Sequence, residues 1–210
     1  MEHGVPFRVV TKFDVAPSVD AAPAPRAGAD RRKRIIGAAA DVIEEHGPDV
    51  PIGAVADRAG IPRPHIYRHF SSKTDLDEAV ARHAAREVGR RLQPLLTADG
   101  SPAELVGAAS RELVAWAADH PNLYRFRAHL RDRPAVQEYF KSIANSQLHR
   151  QGYPGEFPQQ TVVAVTGLVD SSVLWWLEHS DALSRERLVA RLTAQVCSLV
   201  EADLREIGVL

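Results

Sequence analysis

The segment RAGIPRPHIYRHFSSK, residues 58–73, contains two short helical patterns joined by a glycine turn, with basic and aromatic residues concentrated in the second pattern. Gly60 permits a sharp turn after the first helix. Pro62 and Pro64 fall in the first turn of the second helix, where amide protons have no helical partner. This arrangement is typical of a helix-turn-helix, which places its second helix in the major groove of DNA. The segment therefore predicts a helical fold that contacts DNA.

The side chains of the second pattern divide into a buried pair and an outward set. Ile66 and Phe70 lie four residues apart and share a face that packs against the preceding helix. Arg63 lies near the helix start, where an arginine can make paired hydrogen bonds to guanine worth about 1–3 kcal/mol of discrimination. Tyr67 offers a hydroxyl to a phosphate oxygen, and Lys73 begins the next helix, whose free amides favour an anion. Simple packing remains the alternative for any single histidine or tyrosine here.

Four consecutive cations, RRKR at residues 31–34, open the first predicted helix, which Asp30 caps. Positive charges at the positive end of a helix dipole are each unfavourable by about a few tenths of a kcal/mol. The run is either a solvated charged face or a cluster neutralised by nearby phosphates. The downstream helix-turn-helix favours the second interpretation, in which DNA phosphates neutralise the cluster.

Composition limits the class of protein. The chain has 210 residues, of which 45% are hydrophobic, and this is enough for a core. Its formal charge of -1 hides a basic front, with 12 Lys/Arg against 9 Asp/Glu in residues 31–91, and an acidic remainder. The single Cys197 excludes an intramolecular disulfide. We find no membrane span, secretory signal, metal-ligand spacing or cofactor motif, so we expect a cytoplasmic protein without metal or cofactor.

The remainder of the chain also shows helical periodicity, with Ser72 as the predicted N-cap of one helix, a predicted capping box at Ser101 and Glu104, and prolines at several predicted helix starts. No segment shows convincing strand alternation. The predicted fold is therefore all-α, with about nine helices. A Pro/Ala-rich leader, residues 1–29, is expected to be disordered or loosely ordered.

The block from Arg32 to about Val80 resembles the N-terminal domain of TetR-type transcriptional regulators. The family pattern A-x-x-A-G-[VI] is matched by residues 56–61, the pattern around [ILV]-Y-x-[HY]-F by residues 65–70, and the following S-K by residues 72–73. The resemblance implies a helix-turn-helix domain at residues 30–76 and a helical effector-binding and dimerisation domain at residues 77–210. The DNA contacts expected from residues and resemblance together are Arg31, Arg32, Lys33, Arg34, Arg63, Pro64, His65, Tyr67, Arg68 and Lys73.

Three prolines depart from the family pattern. Pro51 replaces the usual threonine before the second helix, Pro62 the serine that caps the third, and Pro64 a small residue two positions on. The missing hydroxyls remove phosphate or capping contacts that the family often makes. The motif persists, while the details of backbone anchoring and the operator sequence differ.

The last two predicted helices carry apolar residues on several sides, so they need cover beyond their own core. The family pairs these helices in a twofold four-helix bundle, which implies a homodimer and a palindromic operator. The predicted interface residues are Val162, Val169, Val173, Trp176, Leu192, Val196 and Leu199.

A second group of aromatic and polar residues is a candidate lining for an effector pocket between helices, although ordinary core packing remains the alternative for each aromatic. The family binds its effectors there, which implies an apolar or aromatic small molecule. The candidates are Trp116, His120, Tyr124, Arg127, Phe140 and Trp175.

Three functions compete at this level. The first is a ligand-responsive regulator, more often a repressor in this family. The second is a protein that binds DNA without sequence preference, or a pure interaction protein. The third is a helical enzyme, which the missing catalytic motifs disfavour. Base discrimination by Arg63 separates the first two.

Overall fold

The computed structural model describes residues 24–129, 133–150, 152–206 and 208, and these residues form an all-helical fold, as predicted. Within them there are nine α-helices and no strand. The helices are α1 (Ala24–His46), α2 (Ile52–Ala59), α3 (Arg63–Ile66), α4 (Lys73–Leu96), α5 (Pro102–Asp119), α6 (Pro121–His129), α7 (Arg133–Arg150), α8 (Gln159–Glu178) and α9 (Arg185–Glu206).

The first helix is longer than the sequence predicts. It begins at Ala24, whereas we expected Asp30 as its N-cap. Asp30 therefore lies inside the helix and not at its N-cap. The remainder of the proposed leader, residues 1–23, lies outside the described residues.

The turn between α2 and α3 follows from Gly60. This residue adopts φ 63° and ψ 39°, the left-handed conformation that glycine reaches without a steric penalty. Its amide and that of Ile61 donate to the carbonyl of Ala56, which closes the end of α2. Pro62, in extended conformation, then starts α3.

The third helix is shorter than predicted. Only residues 63–66 are α-helical, and Tyr67 to His69 form a turn, whereas we expected the helix to continue to about Phe70. The amides of His69 and Phe70 both donate to the carbonyl of Ile66, so the end is tightened instead of extended. The predicted extent of this helix is therefore wrong, although its buried pair is right: Ile66 and Phe70 are buried in the core.

One continuous hydrophobic core joins the front of the molecule to the rest. It extends from α1 residues such as Ile35 and Ile43, through Phe70 and Leu76, to Trp116 and residues of α8 and α9. The helix α4 crosses the predicted domain boundary at residues 76 and 77, and it packs against α1, α5 and α6. The first three helices are therefore held on the same core as the helical body.

Candidate functional site

The outer surface of α3 and its following turn carries the polar side chains that the sequence assigns to DNA. Arg63, Pro64, Tyr67 and Arg68 are exposed, and His65 is half-buried. Tyr67 is 47% exposed, which is unusual for a large aromatic residue and leaves its hydroxyl available to a partner. The buried pair beneath this surface fixes its orientation. The structure therefore brings the five predicted contacts of this segment to one surface.

The cations at residues 31–34 separate into two groups. Arg31, Lys33 and Arg34 are exposed on α1. Arg32 instead places its guanidinium carbon 4.5 Å from the centre of the Phe70 ring, a cation–π contact. This contact joins α1 to the buried residue that follows the α3 turn, so Arg32 packs beneath the α3 surface.

Lys73, the predicted phosphate contact at the start of α4, is already paired. Its Nζ contacts the carboxylate of Asp77, four residues along the helix, and the lysine side chain is half-buried. A phosphate at this position has to compete with Asp77 for the ammonium group.

The first turn of α4 is fixed by two serines and one aspartate. The hydroxyl of Ser72 accepts from the amide of Asp75 at 3.0 Å, as predicted for the N-cap. The Asp75 carboxylate accepts from the Ser71 amide at 2.9 Å and from the Ser71 hydroxyl at 3.2 Å. The Ser71 amide chiefly, and the Ser71 hydroxyl and Arg32 in addition, hold the pKa of Asp75 below its ordinary value. These bonds connect the α3 turn to α4.

Arg58, for which the sequence pattern predicts no role, links two helices in the structure. Its guanidinium contacts the carboxylates of Glu45 and Asp41, so α2 is tied to α1. The hydrogen bond from Arg58 is the main reason why the pKa of Glu45 lies below its ordinary value. A pairing across two helices has no local sequence pattern, and nothing in the chain pointed to it.

A cavity of about 600 Å³ lies in the helical body, bounded by α4 through α9. Its wall is mostly apolar, with valine, leucine and phenylalanine side chains from five of these helices. The residues that line it are Arg82, Ala85, Arg86, Val88, Gly89, Arg90, Leu92, Gln93, Leu96, Val106, Ala109, Ser110, Leu113, Arg127, Val136, Tyr139, Phe140, Val165, Thr166, Val169, Asp170 and Val196.

A buried ion pair lies at the wall of this cavity. Arg127 Nη2 on α6 donates to Asp170 Oδ1 on α8 at 2.7 Å, and the Tyr124 hydroxyl donates to the same oxygen at 2.9 Å. Burial, together with the Asp170 charge, raises the pKa of Tyr124, so its hydroxyl stays a donor. Burial alone would lower the pKa of Arg127, but Tyr124 and Asp170 outweigh it and the pKa is raised. The guanidinium therefore stays charged.

The six predicted effector residues do not all meet at the cavity. Arg127 and Phe140 line it. Trp116 and Tyr124 are fully buried in the core behind it, with their ring centres 6.3 Å apart, and His120 packs on Trp116. Trp175 is on the surface of α8, 47% exposed and stacked on His179. Tyr139, another aromatic candidate from the sequence, also lines the cavity, whereas the sequence did not single out Asp170, because helical periodicity does not show which helices enclose a space.

The predicted interface residues mostly face inward within one protomer. Val162, Val173, Trp176, Leu192 and Val196 are buried, and Val169 lines the cavity. Leu199 is 36% exposed. An exposed stripe on α8 carries small and apolar residues: Val163, Ala164, Ser171 and Trp175.

The helix α6 connects the cavity to α1. The carboxylate of Glu44, near the end of α1, accepts from the amides of Asn122 and Leu123, and the Asn122 side-chain amide donates to the Glu44 carbonyl at 2.9 Å. These bonds satisfy free amides at the start of α6. The same nine-residue helix carries Tyr124 and Arg127, so Glu44 links α1 to the helix that supplies the ion pair of the cavity wall.

Metal binding and membrane insertion are two other properties that the described residues can be checked for. Among the described residues there is no group of three or more His, Cys, Asp or Glu side chains that could hold a metal ion. By length and composition, α8 is apolar enough to cross a membrane. Its Asp170 is paired with Arg127, and the helix packs against α5, α6, α7 and α9.

Comparison with known proteins identifies the front of the chain. Residues 35–80 match the model of a family described as bacterial regulatory proteins, tetR family. The HTH-type transcriptional regulator BetI of Brucella canis is 33% identical over 79 residues, which cover 37% of this chain and 40% of BetI. The match thus spans less than half the length of that curated relative.

Solved structures match a larger part of the fold. A tetR-family transcriptional regulator from Streptomyces coelicolor gives a TM-score of 0.68 at 22% identity, over 85% of this chain and 83% of that one. The regulator FadR from Bacillus subtilis, solved in complex with stearoyl-CoA, gives a TM-score of 0.59 at 18% identity, over 80% and 97%. At these identities the match shows a common fold.

Proposed function

We propose that this chain, whose residues 35–80 belong to the TetR family of bacterial regulatory proteins, is a ligand-responsive transcriptional regulator of the bacterial cytoplasm. It acts as a homodimeric repressor on a palindromic operator and carries out no catalytic step. The observation that carries the proposal is the exposed surface of α3 and its turn, with Arg63, Tyr67 and Arg68, above Phe70, which Arg32 of α1 contacts. Arginines there contact base edges and phosphates, while the buried pair beneath holds the surface rigid.

The effector in this proposal is an apolar or aromatic small molecule bound in the cavity. The cavity volume of about 600 Å³ is of the size that small-molecule sites have. FadR was solved with stearoyl-CoA, which supports a small-molecule effector for this fold. No metal, cofactor or membrane takes part.

In this mechanism, the effect of effector binding is transmitted to the DNA-contacting helices through α6 and α4. Arg127 and Asp170 line the cavity, and α6 is attached to α1 through Glu44. A ligand that favours one arrangement of α6 changes the spacing of the two DNA-binding surfaces of the dimer. A coupling of about 1–3 kcal/mol would change operator occupancy about 5- to 150-fold.

A footprint on DNA flanking the gene of this protein, at low salt and with candidate hydrophobic ligands, tests the proposal. Arg63→Ala should remove discrimination at one base pair, at a cost of about 1–3 kcal/mol. Lys33→Ala should weaken binding to all sequences alike and reduce the salt slope by about 1. Arg187→Ala, an exposed arginine of α9, is the matched control and should change neither.

Two results would contradict the proposal. If the purified protein gives no footprint at low salt, the regulatory function is wrong. If it binds DNA but Arg63→Ala weakens the affinity for all DNA sequences equally, the protein binds DNA without sequence preference. That result would support the second candidate function.

A further inference from the structure

The charges on the cavity wall indicate which class of molecule the cavity takes. We infer that it binds an amphiphile, whose apolar tail lies between the helices and whose anionic head group, a carboxylate or a phosphate, is held by Arg86 and Arg90 at the opening. The inference rests on the proposed function, because it names the chemical class of the effector of that site. It is carried by an unbalanced positive charge on one side of a mostly apolar cavity.

Three arginines of α4 line the cavity, and they lie on one face of that helix. Arg82, Arg86 and Arg90 follow each other at intervals of four residues, which brings their side chains to the same side. Like charges at this spacing repel one another. Arg86 and Arg90 are exposed although they line the cavity, so they lie where the cavity opens to solvent. An anion bound at this opening would relieve the repulsion.

Two of these arginines have no carboxylate partner. Arg82 Nη1 lies 3.4 Å from a carboxylate oxygen of Glu78. Arg86 donates from its Nε to the Arg82 carbonyl at 3.1 Å, which leaves its two terminal nitrogens for another acceptor. Within the part of the chain that the structure describes, neither Arg86 nor Arg90 forms an ion pair. Because a guanidinium group pairs with carboxylate or phosphate oxygens through two parallel hydrogen bonds, both arginines can hold an anion.

The other charged group of the wall is balanced within itself. Arg127 is compensated by Asp170 at 2.7 Å, and both side chains are mostly buried. Asp170 is the one carboxylate among the described residues of the wall, so the charge of Arg86 and Arg90 has no counterpart there. An anionic ligand group therefore lies at the α4 opening and not beside Asp170, which would repel it.

The inner part of the cavity wall suits a hydrocarbon tail. Ala109 and Leu113 of α5 and Val196 of α9 line the cavity and are buried, so this part lies away from solvent. A charged group there would lose its hydration without gaining a partner. A hydrocarbon tail instead gains free energy in proportion to the apolar area that it buries. An amphiphile with its tail inside and its head at the opening matches both parts of the wall.

The experiment measures the affinity of the full chain for three molecules with tails of nearly equal length: decanoate, decyl phosphate and decyltrimethylammonium. Titration calorimetry is carried out at low salt, below the concentration at which each compound forms micelles. The better of the two anions should bind at least about tenfold more tightly than the ammonium compound, and added salt should reduce this preference. Butanoate, which has the head of decanoate but a short tail, should bind at least about a hundredfold more weakly than decanoate, because each buried CH₂ contributes about fourfold.

Variants of the full chain test the head-group site and the tail site separately. Arg86→Gln combined with Arg90→Gln removes both charges from the opening, so the preference for the anion over the ammonium compound should fall to about onefold. The matched control, Arg111→Gln combined with Arg187→Gln, removes two exposed arginines outside the cavity wall and should keep the preference. Ala85→Trp narrows the cavity from α4 and should weaken the binding of all three compounds. Thermal unfolding checks that each variant is folded.

Three results would overturn the inference: equal or tighter binding of the ammonium compound by the wild-type protein, an unchanged preference in the double variant of Arg86 and Arg90, or no binding of any compound. If this double variant instead lowers DNA affinity and leaves decanoate binding unchanged, these arginines contact DNA phosphates and the inference is wrong. A protein that gives a sequence-specific footprint but lacks the preference for anions refutes the inference alone. A protein with the preference but without a footprint refutes the proposed function.

Discussion

Single residues set the geometry of the DNA-binding surface. Gly60 turns the chain between α2 and α3, and its φ of 63° belongs to the region that side chains with a Cβ rarely adopt. Tyr67 is exposed on that surface, whereas Tyr124, of the same type, is buried against Asp170. The same residue type is therefore a proposed DNA contact at one position and part of a buried hydrogen-bonded pair at another.

Gly60→Ala should lower the free energy of unfolding by about 1–2 kcal/mol, because alanine in left-handed conformation is strained. A Cβ at this position meets no atom within 4 Å, so the cost is due to the backbone and not to a clash. Gly53→Ala, in α2 and equally open, is the control and should raise the free energy of unfolding by up to about 1 kcal/mol. Urea unfolding measures both. Equal effects of the two substitutions would contradict the argument.

Tyr124→Phe should lower the free energy of unfolding by about 1.5–3 kcal/mol, since the Asp170 carboxylate loses a buried donor. Tyr67→Phe removes the same hydroxyl from an exposed position. It should leave stability unchanged and weaken DNA binding. Thermal unfolding and a DNA titration of both variants distinguish the two roles, and a stability loss in Tyr67→Phe would count against an outward-facing side chain.

At the scale of elements, the first turn of α4 and the start of α6 hold the DNA-binding surface in place. Asp75 bonds Ser71, and Glu44 bonds the first amides of α6. Both are carboxylates at helix N-termini, where free amides and the helix dipole favour negative charge. Each connects an element of the surface to an element of the body.

The bond between Asp75 and Ser71 predicts a pH dependence. The folded-state pKa of Asp75 is lowered, so its contribution to stability is complete above the unfolded value of about 3.9 and is lost as pH falls through the folded value. In Ser71→Ala the pKa should rise but stay below its ordinary value, because the backbone amide still donates. Carbon-detected NMR titration of the Asp75 carboxyl measures this, with Ser101→Ala, at the N-cap of α5, as the control. A pKa unchanged in Ser71→Ala would show that the hydroxyl contributes nothing.

Glu44→Ala should uncouple effector and DNA. The substitution removes the acceptor for the amides of Asn122 and Leu123, so α6 loses its attachment to α1. We expect the ligand to bind the cavity as before, while its effect on DNA affinity decreases at least about threefold. The control is Glu45→Ala, which lies next to Glu44 on α1 and breaks the pair with Arg58 of α2. This variant should keep the effect of the ligand on DNA affinity. An unchanged response in Glu44→Ala would refute this route.

Capping chemistry explains how much of these elements the sequence could predict. Ser72 and the Ser101–Glu104 box act through neighbours three residues away, and both starts were predicted correctly. The end of α3 was not predicted correctly. It depends on the hydrogen bonds to the Ile66 carbonyl and on the burial of Phe70 in the core. The contacts Glu44–α6 and Arg127–Asp170 join residues 43 or more positions apart, and no local pattern encodes them.

At the scale of the whole molecule, apolar periodicity predicted that residues of α8 and α9 form an interface between protomers. In the structure, most of these residues belong to the core of one protomer. The valines of α8 and the leucines of α9 that we assigned to an interface fill the protomer itself. Trp175, assigned to the cavity, lies on the stripe of α8 that remains exposed. A period of 3.6 residues shows that a helix is covered on one side, but it does not show by which neighbour.

Trp175→Glu should convert the proposed homodimer to a monomer, because a charge would have to be buried in an apolar contact. Ala98→Glu places the same charge at an exposed position between α4 and α5 and is the control. Sedimentation velocity at micromolar concentration gives the mass, and the footprint should shrink to one half-site or disappear. A wild-type protein that is a monomer under these conditions would refute the two-surface mechanism.

The continuous core has a consequence for engineering. Sensor proteins are often assembled by joining the DNA-binding part of one regulator to the ligand-binding part of another. In this chain such a junction would cut α4 and would separate Glu44 from the amides that it caps on α6. A working chimera therefore has to carry α6 with its own α1, or to supply a carboxylate at the position of Glu44. The unit that can be exchanged is a pair of contacting helices and not a continuous stretch of sequence.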